Sequence, residues 1–86
     1  PIQIEEGGTE VVREPVVDVL DFGKEIVVIA EMPGVEEKDI NISVDGRRLR
    51  IKGGQYSKTI DLPAKVDTSV RKSYKNGILE IRLKKK

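Results

Sequence analysis

The chain contains no cysteine and no histidine among its 86 residues. These absences exclude disulfide bonds, thiolate metal sites, and the side chain that most often serves as general base and metal ligand. The carboxylates stand mostly at turns, as at Asp21, Asp45 and Asp67, and not as a pair whose pKa values are separated within a cleft. We therefore expect no catalytic residue, no cofactor and no metal site, and we interpret the chain as a non-enzyme.

Long apolar runs and an excess of charge of one sign are also missing. The longest apolar run covers residues 26–30, far short of the ~20 residues that a membrane span requires. Sixteen basic against fifteen acidic residues leave a net charge of +1, so no overall field attracts nucleic acid. The start of the chain carries no secretory signal pattern. We expect a cytoplasmic domain that has neither a membrane nor a nucleic acid as partner.

What the chain does have is a series of short β-branched segments separated by turn residues. Apolar and polar residues alternate in residues 40–44 and 78–84, as they do when one face of a strand is buried. Asp45-Gly46 and Asn76-Gly77 are dipeptides that favour tight hairpins. These signals predict an all-β fold, an antiparallel immunoglobulin-like β-sandwich of about seven strands. The expected strands are residues 16–21, 25–31, 40–44, 48–52, 56–62, 70–75 and 78–84.

Composition divides the chain into three parts. Residues 1–14 are mostly polar and contain Gly7-Gly8, which predicts a flexible leader. Residues 15–84 carry the strand pattern and form the domain, and residues 85–86 are interpreted as a basic tail. Within the domain, residues 36–38 are expected to form one helical or 3₁₀ turn.

Two motifs far apart in the chain resemble the signature of a known family. Pro33-Gly34-Val35, followed by Asp39-Ile40, ends the most apolar run, and Lys75-Asn76-Gly77-Ile78-Leu79 forms a late hairpin. With Ile60-Asp61-Leu62-Pro63 between them, this ordered pair resembles the α-crystallin domain of small heat-shock proteins, in its archaeal form. The resemblance covers roughly residues 14–84. It implies a compact β-sandwich, a dimeric building block, and ATP-independent holding of unfolding polypeptides.

The resemblance also implies a groove that receives an isoleucine-x-isoleucine segment from a neighbour. Lys72 departs from the family there, because the late motif often has alanine at this position. No such segment follows Leu83, whereas Ile2 and Ile4 stand two residues apart in the leader and would project to the same side of an extended chain. We expect Ile2 and Ile4 to be the anchor, the alternative being a stray apolar pair. The expected groove residues are Ile40, Ile42, Val44, Val70, Lys72 and Tyr74.

A second departure concerns dimerisation. Bacterial, plant and archaeal relatives carry a long loop with an extra strand that exchanges between subunits, and here only Gly53-Gly54-Gln55 separates the two strands. That connection is too short to reach a partner. We expect any dimer to use strand edges, with Tyr56, Lys58 and Ile60 as the dimer edge.

Two other functions remain open beside a chaperone whose partners are unfolding clients and copies of itself. The missing loop favours a monomeric, co-chaperone-like adaptor of related sandwich fold that binds one folded partner. A basic stripe at Arg48, Arg50 and Lys52 would suit nucleic acid, but no aromatic residue for base stacking stands beside it. We interpret the stripe as a solvated strand face that discourages aggregation.

Overall fold

The computed structural model describes residues 13–86, which form seven strands and one 3₁₀ turn. The turn, η1 (Glu37–Asp39), lies one residue later than the predicted one. The strands are β1 (Val16–Asp21), β2 (Glu25–Glu31), β3 (Asn41–Asp45), β4 (Arg48–Gly53), β5 (Tyr56–Asp61), β6 (Val66–Lys75) and β7 (Ile78–Lys85).

The strands form two antiparallel sheets. One sheet has four strands in the order β1-β2-β7-β6, and the other has three in the order β3-β4-β5. The predicted all-β antiparallel sandwich of about seven strands is therefore confirmed. β1, β6, β3 and β5 are the edge strands, and β3 lies alongside β6 where the two sheets meet.

The core is built from alternate positions of the central strands. In β4, for example, Leu49 and Ile51 are buried while Arg48, Arg50 and Lys52 are exposed. Each fully buried aliphatic side chain contributes roughly 1.5–3 kcal/mol to stability, so the alternation decides which face of each sheet turns inward. The other large, fully buried side chains are Ile26, Val28, Met32, Leu62, Val66, Leu79, Ile81 and Leu83.

Two hairpins have the tight turns that the sequence predicts. Lys75 pairs with Ile78 around a two-residue loop, and both loop residues have positive φ, 53° at Asn76 and 78° at Gly77. That combination defines a type I′ turn, which matches the right-handed twist of the strands. In the β3–β4 hairpin only Gly46, at 65°, has positive φ, as expected when glycine occupies the first loop position of a type II′ turn.

The two family motifs meet at one end of the sandwich. The Met32 N–H donates to the Gly77 carbonyl oxygen at 2.8 Å, and the Tyr74 hydroxyl donates to the Met32 carbonyl oxygen at 2.6 Å. A Cβ atom on Gly77 would lie 3.1 Å from the Cα atom of Pro33. The Pro-Gly-Val and Asn-Gly motifs therefore stabilise each other through direct contact.

The strand bounds differ from the sequence prediction by one residue in β3, β4, β5 and β7, and by more in β6. β6 begins at Val66 and not at Val70, because a register shift between these two residues carries the strand past polar positions that break the alternation. β7 includes Lys85, and the Lys86 N–H donates to the Lys65 carbonyl oxygen. The two residues expected to form a basic tail are therefore both paired, Lys85 within β7 and Lys86 with Lys65. Arg13, expected in the leader, forms an isolated bridge with Tyr56.

Candidate protein-interaction site

The groove expected from the sequence corresponds to the line along which β3 and β6 lie side by side. The Val66 N–H donates to the Gly46 carbonyl oxygen at 3.1 Å, which closes one end. Near the other end the Lys72 ammonium lies 3.5 Å from the Ile40 carbonyl oxygen, and beyond it Tyr74 bonds to Met32. β6 therefore runs antiparallel to the chain from Met32 to Gly46.

Between these contacts, apolar side chains line both strands. Ile42 and Val44 on β3, and Val70 on β6, are half-buried and pack against the core. Tyr74 is half-buried near the Lys72 end, whereas Ile40 is only 4% exposed and belongs to the core. The structure thus brings the six expected groove residues into one region, but Ile40 contributes its carbonyl oxygen there and not its side chain.

Main-chain groups of both strands also point into the groove. Asp45 pairs with Arg48 across the β3–β4 turn, so the alternation of an antiparallel ladder directs the amides and carbonyls of Ile42 and Val44 away from β4. Lys75 pairs with Ile78 across the β6–β7 turn, so the same alternation directs the amides and carbonyls of Val70 and Lys72 away from β7. An extended segment in the groove therefore has main-chain partners as well as apolar contacts.

The expected dimer edge on β5 is partly occupied by the chain itself. The Arg13 N–H donates to the Gln55 carbonyl oxygen at 2.7 Å, and the Ser57 N–H donates to the Arg13 carbonyl oxygen at 2.9 Å. Lys58 forms an ion pair with Glu14 at 2.9 Å. The side chain of Ile60 points into the core and that of Tyr56 packs against it, so a partner at this edge would contact mainly backbone.

The short connection before β5 is a tight hairpin. Gly53 pairs with Tyr56 around the two-residue loop Gly54-Gln55, and Gly54 has φ of 56°. Gly53 is buried, and a Cβ atom there would lie 2.9 Å from the terminal methyl of Met32. β4 and β5 therefore remain within one sandwich, with no segment between them to exchange.

Sequence reasoning missed one surface, the open edge of β1. The Phe22 N–H donates to the Glu25 carbonyl oxygen, so the alternation directs the main chains of Val17, Val19 and Asp21 away from β2, to the side where no further strand pairs within residues 13–86. Val16 and Phe22, at 64% and 65%, are the most exposed large apolar residues of that part of the chain. An apolar composition at residues 16–22 was visible in the sequence, but exposure depends on which strands are neighbours.

The outer face of the four-stranded sheet carries an ion-pair cluster. The Arg82 guanidinium contacts Glu25 at 3.0 Å and Glu80 at 2.8 Å. The hydrogen bond that Arg82 donates to Glu25, and the charge of Glu80, raise the pKa of Arg82, so it stays charged throughout the physiological range. This arrangement is typical of a solvated sheet face and contributes little to stability.

The remaining candidates have simple placements. The basic stripe of Arg48, Arg50 and Lys52 lies on the exposed face of β4, and Arg48 is 3.7 Å from Asp61. Within residues 13–86, no three acidic side chains converge as metal ligands would, and no helix is long and apolar enough to cross a membrane. The anchor residues Ile2 and Ile4 lie outside the described residues.

Comparison with known protein families identifies the family of this chain. Residues 23–83 match a family model described as an HSP20-like domain found in ArsA. The chain belongs to the small heat-shock protein family. Its fold is the α-crystallin-type sandwich of that family, and the family consists of chaperones and not of enzymes.

Individual small heat-shock proteins are similar over most of this chain. A probable 15 kDa heat shock protein of Leptospira interrogans is 31% identical, with 84% of this chain and 70% of the relative covered. Heat shock protein 16 of Schizosaccharomyces pombe is 28% identical, with coverages of 83% and 66%. The chain therefore spans about two thirds of the length of these relatives.

Solved structures of the family share the fold. Heat shock protein 16.0 of Schizosaccharomyces pombe superposes with a TM-score of 0.79 at 24% identity, covering 93% of this chain and 72% of that one. The A102D mutant of hsp14.1 from Sulfolobus solfataricus superposes with a TM-score of 0.74 at 27% identity, with coverages of 85% and 72%. The sequence indicated a resemblance to archaeal members of the family. The chain is also similar to members from Leptospira interrogans and Schizosaccharomyces pombe.

Proposed function

We propose that this chain is an ATP-independent chaperone module that holds unfolding polypeptides by adding them as a strand to the open edge of β1. The observation that carries the proposal is the composition of that edge. Four of the five exposed large apolar residues within residues 13–86 lie on β1 and the turn that follows it, namely Val16, Val19, Leu20 and Phe22. Three residues of the same strand direct their main chains to the open side.

The chemistry of this edge suits unfolding clients. Unpaired amides and carbonyls recognise any extended chain, whatever its side chains, and exposed apolar residues on both faces of β1 favour apolar segments. Natural sheets usually protect such an edge with charged residues, proline or a bulge, and β1 has no lysine, proline or bulge, with Asp18 and Asp21 as its charged residues. An edge without lysine, proline or a bulge is expected of a surface that binds other chains.

The groove between β3 and β6 has a different role in this proposal, which is self-assembly. Ile2 and Ile4 of one copy dock between Ile42, Val44 and Val70 of another. Changing Ile2 and Ile4 to serine should reduce any assembly larger than a dimer, as measured by light scattering. An unchanged assembly size would contradict anchor docking but not client binding at β1.

The adaptor that binds one folded partner is the second candidate. The tight β4–β5 hairpin favours it, because the chain lacks the exchanged loop. The family model also describes its domain as one found in another protein, ArsA, and a domain carried by a larger protein can serve that protein alone.

Aggregation assays distinguish the two functions. Several unrelated proteins are unfolded, each in the presence and absence of an equal amount of this chain and without nucleotide, and light scattering is followed with time. The chaperone predicts suppression for most or all of them. Suppression of none, or of a single one, would contradict general client binding and favour the adaptor.

A further inference from the structure

The groove between β3 and β6 has a cation at one of its ends. Lys72 stands at the end near Ile40, where its ammonium lies 3.5 Å from the Ile40 carbonyl oxygen. The other end carries both signs, because Asp45 and Asp67 lie there together with Arg47 and Lys65, which adjoin the contact between Val66 and Gly46. The apolar residues Ile42, Val44 and Val70 lie between these ends, so an apolar segment in the groove would have Lys72 beside one of its ends.

Lys72 has no acidic partner among the salt bridges of residues 13–86. Neighbouring residues on its side of β6 are Val70 and Tyr74, which are half-buried against the core. By alternation along β6, the side chains of Arg71, Ser73 and Lys75 project to the opposite face. Lys72 is therefore the one cation among these β6 residues that a segment lying in the groove would meet.

The leader contains a segment whose charges match this arrangement. Ile2-Gln3-Ile4 is followed at once by Glu5-Glu6, so two acidic residues stand on one side only of the apolar pair. With Ile2 and Ile4 over Ile42, Val44 and Val70, the glutamates reach Lys72 only if the segment runs from the Asp67 end towards the Lys72 end. That direction is antiparallel to β3 and parallel to β6.

We propose that Lys72 makes the groove selective for apolar segments followed by acidic residues, and that it sets the direction in which the segment binds. The occupant is the segment of residues 2–6 from a second copy of this chain. This inference rests on the proposed docking in the groove and adds to it the charge that the site recognises. The ammonium exchanges its contact with the Ile40 carbonyl oxygen for the stronger contact with a carboxylate.

Peptide binding tests the charge preference. The receptor is the full chain with Ile2→Ser and Ile4→Ser, so that its own leader does not compete. Two peptides with the sequence of residues 1–8 are compared, the native one and one with Glu5→Gln and Glu6→Gln. An exposed ion pair of this kind predicts about two- to fivefold tighter binding of the native peptide at low salt, and a smaller difference at high salt.

Three substitutions in the receptor complete the test. Lys72→Ala should remove the preference, Lys72→Glu should reverse it, and Lys75→Ala should leave it unchanged because Lys75 projects to the other face. Thermal melts check that the exposed substitutions leave the fold intact. Equal binding of both peptides to the unsubstituted groove, or a preference that survives Lys72→Glu, would overturn the inference about Lys72 alone. Binding of neither peptide would overturn groove docking itself.

A spin label on the peptide tests the direction. Placed after the glutamates, it should broaden the amide resonances of Lys72 and Tyr74 more than those of Val44 and Asp67. Since the chain has no cysteine, a labelled cysteine in the peptide is the only thiol in the experiment. The opposite pattern would show that the segment binds in reverse and would contradict the proposed orientation.

Discussion

At the scale of single residues, Gly77 connects the two motifs from which the family was first inferred. Its positive φ permits the type I′ turn, and its missing side chain permits contact with Pro33. The Asn-Gly dipeptide predicted the first of these properties from the sequence alone. The second depends on the folded chain, because Pro33 lies far from Gly77 in sequence.

Substitution of Gly77 should therefore destabilise the domain for two separate reasons. Gly77→Val is expected to cost on the order of 1–3 kcal/mol from backbone strain at positive φ, and more where the new side chain meets Pro33. Gly23→Val is a matched control, because Gly23 has φ of 90° and a Cβ atom there would have no neighbour within 4 Å. Thermal or urea denaturation should show the larger loss for Gly77→Val. Equal losses would mean that contact with Pro33 contributes nothing.

Asp21 should make stability depend on pH at the acidic end. The hydrogen bond from Lys85, at 3.0 Å, and that from the Gly23 N–H, at 2.8 Å, lower the pKa of Asp21 below its ordinary value. Since the folded-state pKa is the lower one, this contribution to stability is present above the unfolded-state pKa of about 4 and is lost as pH falls through the folded-state pKa.

Melting curves of Asp21→Asn measure that contribution, because asparagine can still accept the Gly23 N–H. The variant should melt below the parent at pH 6, and the difference should vanish at strongly acidic pH. Asp18→Asn on the same strand, where no ion pair is present among residues 13–86, controls for the loss of a carboxylate as such. A difference for Asp21→Asn that stays constant with pH would contradict the ion pair with Lys85.

At the scale of elements, the edge strands differ in how much of their surface is covered. β5 is partly paired by Arg13, and β3 and β6 face each other across the groove. β1 is the edge with both free main-chain groups and exposed apolar side chains within residues 13–86. In the proposed function, this contrast separates a client surface at β1 from a self-assembly surface at the groove.

Two residues of nearly equal exposure test whether client binding requires the strand edge or only exposed apolar surface. Val19 on β1 is 39% exposed and Ile78 on β7 is 40% exposed, but β7 is paired on both sides. Val19→Ser should weaken the suppression of client aggregation several-fold, whereas Ile78→Ser should leave it nearly unchanged, with similar small losses of stability for both. Equal effects in the aggregation assay would show that clients bind to exposed apolar surface without regard to strand edges.

At the scale of the whole molecule, the alternation of apolar residues in β3, β4 and β7 predicted the strands and their buried faces. The bulge in β6 was not predictable, since Asp67-Thr68-Ser69 has no apolar alternation to locate a strand. The pairing of Arg13 with Gln55 and Ser57 was not predictable either, because it uses main-chain atoms that every residue has. The groove was inferred from family resemblance, and its closed ends depend on contacts between distant residues.

Hydrogen exchange of the chaperone while it holds an unfolding client tests the central claim most directly. In the free chain, the amides of Val17, Val19 and Asp21 point to the open edge of β1 and should exchange quickly. A client added as a strand at β1 should protect these three amides, while the edge amides of Thr59 and Asp61 on β5 keep their free rate. Protection confined to β5 or to the groove, or no change at β1 despite bound client, would contradict the account.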